Sequence, residues 1–445
     1  MRDLAYAAIW LTLLPASLLA PYIGVVLWIW TALLSPNELF YGFMASVPLN
    51  KIVAASTLFA LLISKEKLRL YFDRTMGLLL LFAGGATMSW LLAISPSENG
   101  NDLYQKVMKE VLLALLVIVT IDRQSRIHLA VLVIAVSIGF VGVKEGLMFL
   151  ATAGSHKVLG SGSIGDNNSV ATALLMTIPL MYYLYRWIGR FYIRIGMMVA
   201  MGLSVIAVMA TFSRGGFIGL IVLGLFTLKN GRNRLASFAV VLMAIAVIYA
   251  VAPESWYARQ STIDTANMDG SFTGRIIAWK ISLLIALDHP LFGGGLHAVQ
   301  QAATWISYAP RIGIFNFIPT PMPDAYPHAA HSIWFEIVGD LGFFGLTMFV
   351  GLLLTAYFNL RATIRAAKHD PALRWAGDLA GMLQISLVIY VVTASALSMG
   401  YFEMLYILLG LISRLRWLAA AKRTVSAGGA SDTNAWRGKR VRLAA

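Results

Sequence analysis

Three ionisable residues stand at the start of one long apolar segment, where lipid would make a charge costly. His331 precedes the segment, and Glu336 and Asp340 lie four residues apart within it. A histidine titrates near neutral pH and can accept a proton from an attacking hydroxyl group. On a helix, Glu336 and Asp340 share one face and must turn toward a polar interior. The pattern therefore predicts a general base with a polar interior beneath it.

Two arginines could supply the complementary positive charge. Arg214 lies in TFSRGG, and Arg275 opens the apolar stretch GRIIAWKISLLIALD. A guanidinium forms bidentate hydrogen bonds with phosphate oxygens and stays protonated. With His331 as base, this set suits transfer from a lipid-linked phosphate donor. Each residue also has a structural alternative, because Arg275 could contact headgroups from an amphipathic helix and His331 could cap a helix.

Further polar residues are expected at the same level of the molecule. Lys144 follows Arg126 by about eighteen residues, or about 27 Å of helix, which is close to the far side of a hydrocarbon core of about 30 Å. Asn168 stands at the start of another apolar segment. Because Lys144 and Glu145 are adjacent, we expect their side chains to point in different directions and not to pair. The possible supporting residues of the site are Lys144, Asn168, Glu336 and Asp340.

The composition makes the bilayer the solvent for most of the chain. Of the 445 residues, 59% are hydrophobic and 13% are charged, which leaves too little polar surface for a soluble protein. The apolar runs are long and show no two-residue alternation, so they predict helices rather than a barrel. Cysteine is absent, which excludes disulfides and thiolate chemistry. The predicted fold class is an all-α, polytopic integral membrane protein.

Apolar segments long enough, or nearly so, to cross a bilayer recur along the chain. They lie at residues 4–35, 51–64, 75–93, 104–121, 126–151, 169–186, 190–212, 216–228, 235–252, 332–358, 374–398 and 400–416. Residues 4–35 are broken by Pro15 and Pro21, so they form either one kinked span or a hairpin of two short ones. One span gives about twelve crossings with a cytoplasmic N-terminus, and two give thirteen with the N-terminus outside. Arg2 beside the first segment favours twelve.

The basic residues indicate an orientation. The formal net charge is +14, and lysine and arginine concentrate in short connectors such as 65–74 and 361–373 and in the C-terminal tail. This distribution is typical of cytoplasmic loops and anionic lipid, and it argues against nucleic acid as a partner. The long loop at 253–330 is poor in lysine and arginine and therefore lies outside. His331, Arg214 and Arg275 then gather at the outer leaflet.

The chain is expected to divide into three regions. Residues 1–150 form an N-terminal transmembrane region, and residues 151–417 form a core that includes the periplasmic loop 253–330. Within this loop, residues 274–288 have helical periodicity, which predicts a helix along the membrane surface or over the end of the bundle. Residues 418–445 form a basic cytoplasmic tail whose composition predicts disorder.

Several motifs together resemble the O-antigen ligase and O-antigen polymerase superfamily of membrane glycosyltransferases. They are His331-Ser332 with Gly342 and Gly345, then Ser213-Arg214-Gly215-Gly216, Gly274-Arg275-x-x-x-Trp279, and HPLFGGG at 289–295. The resemblance covers roughly residues 160–400. One departure is Ser332, which stands where asparagine is common, although the pattern allows serine. The first 150 residues are similar to the N-terminal region of exosortase-associated O-glycosylation ligases.

The resemblance implies a fold like that of C-type glycosyltransferases, in the bacterial inner membrane, with the active site facing the periplasm. It implies inverting transfer of a glycan from undecaprenyl pyrophosphate to a hydroxyl group of lipid A–core, or of a protein. His331 would be the catalytic base, and Arg214 and Arg275 would bind the donor pyrophosphate. Neither a metal nor another cofactor is expected, because metal-ligand spacings such as Asp-x-Asp are missing and arginine could replace Mg²⁺.

Other functions fit the same sequence. An O-antigen polymerase, or a protein O-oligosaccharide ligase of the same superfamily, would share the donor and differ in the acceptor. A transporter of a lipid-linked anionic glycan would instead need charges through the whole depth of a central path.

Overall fold

The computed structural model describes residues 2–36, 42–64, 66, 71–160, 165–230, 270–315 and 318–440. The predicted span at 235–252 and the loop residues 253–269 lie outside this part. In chain order the helices are α1 (Arg2–Leu19), α2 (Pro21–Leu34), α3 (Leu49–Ile63), α4 (Arg74–Leu91), α5 (Glu98–Thr120), α6 (Gln124–Ala151), α7 (Asn167–Trp187), α8 (Phe191–Ala210), α9 (Arg214–Asn230), α10 (Gly270–Asp288), α11 (Ala302–Tyr308), α12 (Ile333–Ala367), α13 (Arg374–Ala394) and α14 (Glu403–Arg440). The described residues contain helices and turns but no strand, so the all-α class is confirmed.

Five helices of the described chain are long and apolar enough to cross a membrane. They are Gln124–Ala151, Phe191–Ala210, Ile333–Ala367, Pro371–Ala394 and Glu403–Ala421. Shorter apolar helices include Leu49–Ile63 and Arg214–Phe226. The molecule is therefore a helical membrane protein, while the number of crossings, twelve or thirteen, and the external side of the long loop stay predictions.

The N-terminal apolar stretch forms two helices rather than one kinked span. Helix α1 continues through Pro15, and the chain turns at Ala20, which has an extended backbone (φ −150°, ψ 117°). The rings of Trp10 and Trp30 then stack with their centroids 5.4 Å apart. Since these residues lie equally far from the turn, α1 and α2 fold back on each other as a hairpin.

Helices α4, α12 and α14 meet around one buried aromatic side chain. The ring of Phe82 on α4 lies 6.3 Å from that of Phe349 on α12 and 6.1 Å from that of Tyr406 on α14, measured between centroids. Ser413 of α14 donates a hydrogen bond of 2.6 Å to Asp73, the N-cap residue of α4. This packing fixes α12, the helix that follows His331, within the bundle.

Helix α12 is kinked at Gly342, where the chain from the long loop docks against it. Gly342 has φ 67° and ψ −169°, a conformation open almost only to glycine. Phe343 donates its backbone N–H to the Pro290 carbonyl at 2.8 Å, and Gly294 donates to the Gly339 carbonyl at 2.9 Å. The segment 289–295 is thus hydrogen-bonded to α12 at the kink.

The helix predicted at 274–288 is present as α10. Its buried side includes Ile277, Ile281 and Leu284. A Cβ atom on Gly339 of α12 would lie 2.9 Å from the Ser282 hydroxyl, so α10 and α12 approach closely. Helix α10 therefore packs against α12, while its position along the membrane surface or over the end of the bundle stays a prediction.

The last helix continues past residue 418 to Arg440, where composition predicts a disordered tail. The run LAAAKR at 418–423 has high helix propensity, so an established helix can extend through it without a break. The division of the chain into three regions stays a prediction.

Candidate functional site

His331 is the last residue before α12, and two other elements hold its backbone. The Ala330 carbonyl accepts a hydrogen bond of 2.6 Å from the Trp279 indole on α10. The His331 N–H donates to the Ser398 hydroxyl at 3.0 Å, from the turn that follows α13. His331 itself has φ 44°, a left-handed conformation that is rare for a residue with a side chain. Bonds from separate elements therefore fix the start of α12 in a strained conformation.

Burial and the net effect of the surrounding charges favour the neutral form of His331. Burial lowers the pKa of the half-buried imidazole, and the nearby Arg275 guanidinium lowers it further. Asp166 acts in the opposite direction and His328 in the same one as Arg275. The structure therefore brings Arg275 and His331 together, and a largely neutral imidazole at pH 7 can accept a proton.

The motif containing Arg275 is built around close contacts with the segment before α12. A Cβ atom on Gly274 would lie 2.9 Å from the His328 ring, so a larger residue would not fit there. One turn later, the rings of Trp279 and Phe335 stack with centroids 4.7 Å apart. These contacts fix residues 274–279 of α10, and with them Arg275, against the segment that leads to His331.

Arg214 is the exposed first residue of α9, and a second set of contacts positions it. The Ser213 hydroxyl accepts a hydrogen bond of 3.0 Å from the Gly216 N–H, as an N-cap residue does. The Asn167 side chain at the start of α7 donates to the Thr211 carbonyl at 2.8 Å. Arg214 therefore lies at the end of the bundle where α7 begins, and Asp166 of that end interacts with His331.

Of the supporting residues, Asn168 lies within the site region. Its side chain donates a hydrogen bond of 3.4 Å to Asp166, the N-cap residue of α7. The contact places the Asn168 amide beside the carboxylate that interacts with His331.

The expectation that Lys144 and Glu145 do not pair is wrong. Their Nζ and Oε1 atoms lie 3.1 Å apart, and Glu145 also binds His156 through the ring Nε2 at 2.6 Å. Adjacent residues do leave a helix in different directions, but the long lysine side chain bends back toward its neighbour. The ion pair of Lys144 is thus with Glu145.

Glu336 and Asp340 are buried, as their spacing predicts, and both bind distant parts of the chain. Glu336 accepts a hydrogen bond of 2.8 Å from the Gly400 N–H. Asp340 accepts one of 3.1 Å from the Tyr401 hydroxyl and one of 3.3 Å from the Ala298 N–H. The two carboxylates therefore tie α12 to the turn before α14 and to the long loop.

Sequence reasoning did not identify Ser398 and Trp279 as residues that hold His331. Trp279 had a signal, because it belongs to the Gly-Arg-x-x-x-Trp motif. Ser398 had none, since a hydrogen bond between a serine and a backbone N–H 67 residues away leaves no local pattern.

Two family models match different parts of the chain. Residues 199–350 match the family described as O-antigen ligase, and residues 1–189 match a family of unknown function (DUF5935). No curated protein matches the chain. The first match includes Arg214, Arg275 and His331 and supports an enzyme of the ligase or polymerase type. By this match, residues 199–350 form a domain of the O-antigen ligase type, in a chain whose described part includes helices long and apolar enough to cross a membrane.

Proposed function

We propose that this protein transfers a glycan from undecaprenyl pyrophosphate to a hydroxyl group of lipid A–core. The reaction takes place at the periplasmic face of the inner membrane, inverts the anomeric carbon and needs no metal ion. The match to the O-antigen ligase family supports the reaction class.

The observation that carries the proposal is the electrostatic interaction between His331 and Arg275. Burial lowers the pKa of His331, and the nearby Arg275 guanidinium lowers it further, which supports a site that combines a neutral base with a permanent cation. The acceptor oxygen would bond to the anomeric carbon while the bond from that carbon to the phosphate oxygen breaks. The acceptor proton would pass to His331, and undecaprenyl pyrophosphate would leave.

The arginines would act on the leaving group. As negative charge grows on the pyrophosphate, Arg275 and Arg214 would donate bidentate hydrogen bonds to its oxygens. Pre-organised donors of this kind lower the barrier because they need not reorganise during the reaction. Asn168 would hold Asp166 in place. Glu336 and Asp340 would hold α12 against the turn before α14 and against the long loop.

A transfer assay tests the proposal. The full chain in nanodiscs would receive a labelled undecaprenyl-pyrophosphate oligosaccharide with lipid A–core, with a serine-containing peptide, or with neither. Labelled lipopolysaccharide supports the proposal. A ladder of lipid-linked polymer would instead identify a polymerase, and labelled peptide a protein ligase. Movement of donor across a vesicle bilayer without covalent product would identify a transporter.

One matched pair of variants tests the role of the base. His331→Ala should lower transfer by about 10²–10⁴-fold, the usual contribution of a general base, while donor binding persists. His369→Ala removes the same side chain from the turn between α12 and α13 and should leave transfer unchanged. Full activity of His331→Ala would remove this residue from the mechanism.

A further inference from the structure

A cavity of about 460 Å³, lined largely by residues with polar side chains, lies beside residues 329–331 (the His331 segment), and the mechanism above leaves it unused. Its volume is within the range of small-molecule binding sites. Residues that line it include Asn99, Asp102, Lys106, Gln301, Glu336 and Ser398.

Several parts of the chain that lie far apart in sequence form the cavity walls. Asn99, Asp102 and Lys106 have i, i+3, i+7 spacing, so they share one face of α5. Gln301, at the start of α11, contributes from the long loop, and the buried Glu336 contributes from α12. Asn99 and Asp102 are exposed, so the cavity opens at the end of α5. One wall therefore comes from the region that matches the family of unknown function.

The cavity and the cation lie on different sides of the His331 segment. Ala329 and Ser398 line the cavity, and the Ser398 hydroxyl holds the His331 N–H. On the α10 side, Trp279 holds the Ala330 carbonyl, and Arg275 interacts with the imidazole. No residue of α10 is among those that line the cavity. The Ala330 carbonyl and the His331 N–H belong to one trans peptide group and therefore point in opposite directions. Ser398 and the cavity thus lie on one side of this peptide, and Trp279 with α10 lies on the other.

The lining suits a neutral ligand rich in hydroxyl groups. Side-chain amides and carboxylates such as Asn99, Gln301 and Glu336 offer donors and acceptors to hydroxyl groups. Lys106 brings a positive charge to the lining, and Asp102, one turn earlier on α5, brings a negative charge. Burial, and then Lys106, lowers the pKa of His297, which therefore adds a neutral ring. A pyrophosphate would find few cations here.

We propose that this cavity binds the acceptor sugar, the one whose hydroxyl group is glycosylated. The inference rests on the proposed transfer reaction. Inversion requires the acceptor oxygen to approach the anomeric carbon from the face opposite the departing phosphate. With the pyrophosphate bound on the α10 side, the acceptor then approaches from the α5 side, where this cavity lies. The N-terminal region would therefore set acceptor specificity.

Removal of single amide groups tests the cavity. Asn99→Ala and Gln301→Ala each remove hydrogen-bonding groups from the lining, whereas Gln105→Ala removes an amide from an exposed position of α5. Transfer from labelled lipid-linked donor would be measured against lipid A–core concentration at saturating donor. Each lining variant should raise the KM for lipid A–core about three- to tenfold, as expected for one hydrogen bond. The donor KM and the Gln105→Ala variant should be unchanged.

The outcomes separate this inference from the reaction itself. If the wild-type protein forms no glycosylated lipid A–core, the proposed reaction fails, and the inference fails with it. If the wild type is active but both lining variants keep the wild-type acceptor KM, only the cavity assignment is wrong. A rise in the donor KM instead would assign the cavity to the donor glycan. A wild type that glycosylates only a serine-containing peptide would exclude a sugar as the occupant. Thermal unfolding of each variant shows whether it is folded. If Asn99→Ala or Gln301→Ala does not fold, the lining variant Asp102→Asn takes its place in the assay.

Discussion

Gly342 provides the most quantitative test of how this site is built. An alanine at residue 342 must adopt φ 67° and ψ −169°, and its Cβ atom would lie 2.7 Å from the Pro290 carbonyl oxygen and 2.8 Å from the Gly293 nitrogen. Ordinary contacts of a Cβ atom begin at about 3.4 Å. The docked segment 289–295 must therefore move, or α12 must straighten and lose its contact with that segment.

The cost of Gly342→Ala follows from these contacts. Backbone strain of this kind amounts to roughly 1–3 kcal/mol. Displacement of the loop also breaks the bonds from Phe343 to Pro290 and from Gly294 to Gly339, at roughly 0.5–1.5 kcal/mol each. We therefore expect the free energy of unfolding to fall by roughly 2–6 kcal/mol.

Gly351→Ala is the matched control on the same helix. Its Cβ atom would meet the Leu78 side chain at 3.5 Å, an ordinary contact, and its backbone is helical. Replacing glycine by alanine in a helix should stabilise by roughly 0.5–1 kcal/mol, which is the opposite sign. Unfolding of both variants in mixed detergent micelles measures the difference, and the transfer assay measures its effect on the site. If Gly342→Ala proves as stable as Gly351→Ala, the kink is not required and the explanation of this motif glycine is wrong.

Other predictions concern the chemistry. Because the pKa of His331 is lowered by burial and Arg275, kcat/KM should rise with pH through an acid limb below the ordinary histidine range and then level off. Asp166→Asn keeps the helix cap but removes a charge that raises the pKa of His331. The rise of kcat/KM should therefore occur at lower pH in this variant, and a shift to higher pH would contradict the assignment of His331 as the base. Arg275→Ala and Arg214→Ala should each reduce transfer by about 10²–10³-fold in protein that still inserts into the membrane, and the exposed Arg190→Ala serves as the control. Near-normal activity of both variants would show that these arginines do not bind the donor pyrophosphate. EDTA should leave activity intact, and rescue of a chelated enzyme by Mg²⁺ would contradict the metal-free proposal.

The helices could be predicted from hydropathy, but their polar ends could not. Helix α5 begins at Glu98 rather than at residue 104, because the Ser97 side chain accepts a hydrogen bond from the Gly100 N–H and caps a polar first turn. A search for apolar windows starts only where the polar turn ends. The missed turn holds Asn99 and Asp102, which line the cavity.

The candidate site was predictable where one sequence motif contains both a functional residue and a residue that holds the neighbouring backbone in place. Arg275 and Trp279 belong to the same motif, and the structure brings both to the segment before α12. The roles of Glu336 and Asp340 were not predictable, because their partners lie 42–64 residues away. Sequence spacing indicated that these carboxylates face inward but not what they bind there.

The buried Asp340 is best understood through the kink rather than through catalysis. A helix broken at Gly342 leaves nearby carbonyl groups without helical partners, and the Asp340 carbonyl accepts bonds from the Ser89 hydroxyl at 2.6 Å and the Gly295 N–H at 3.3 Å. The Asp340 carboxylate then binds the next turn of the same loop at Ala298. Because the loop, α4 and α12 are joined here, the loop cannot shift without breaking buried hydrogen bonds. Hydrogen bonds from two further elements hold the backbone at His331, which has φ 44°. The position of the base is therefore set before the substrates bind, and donor and acceptor must fit it.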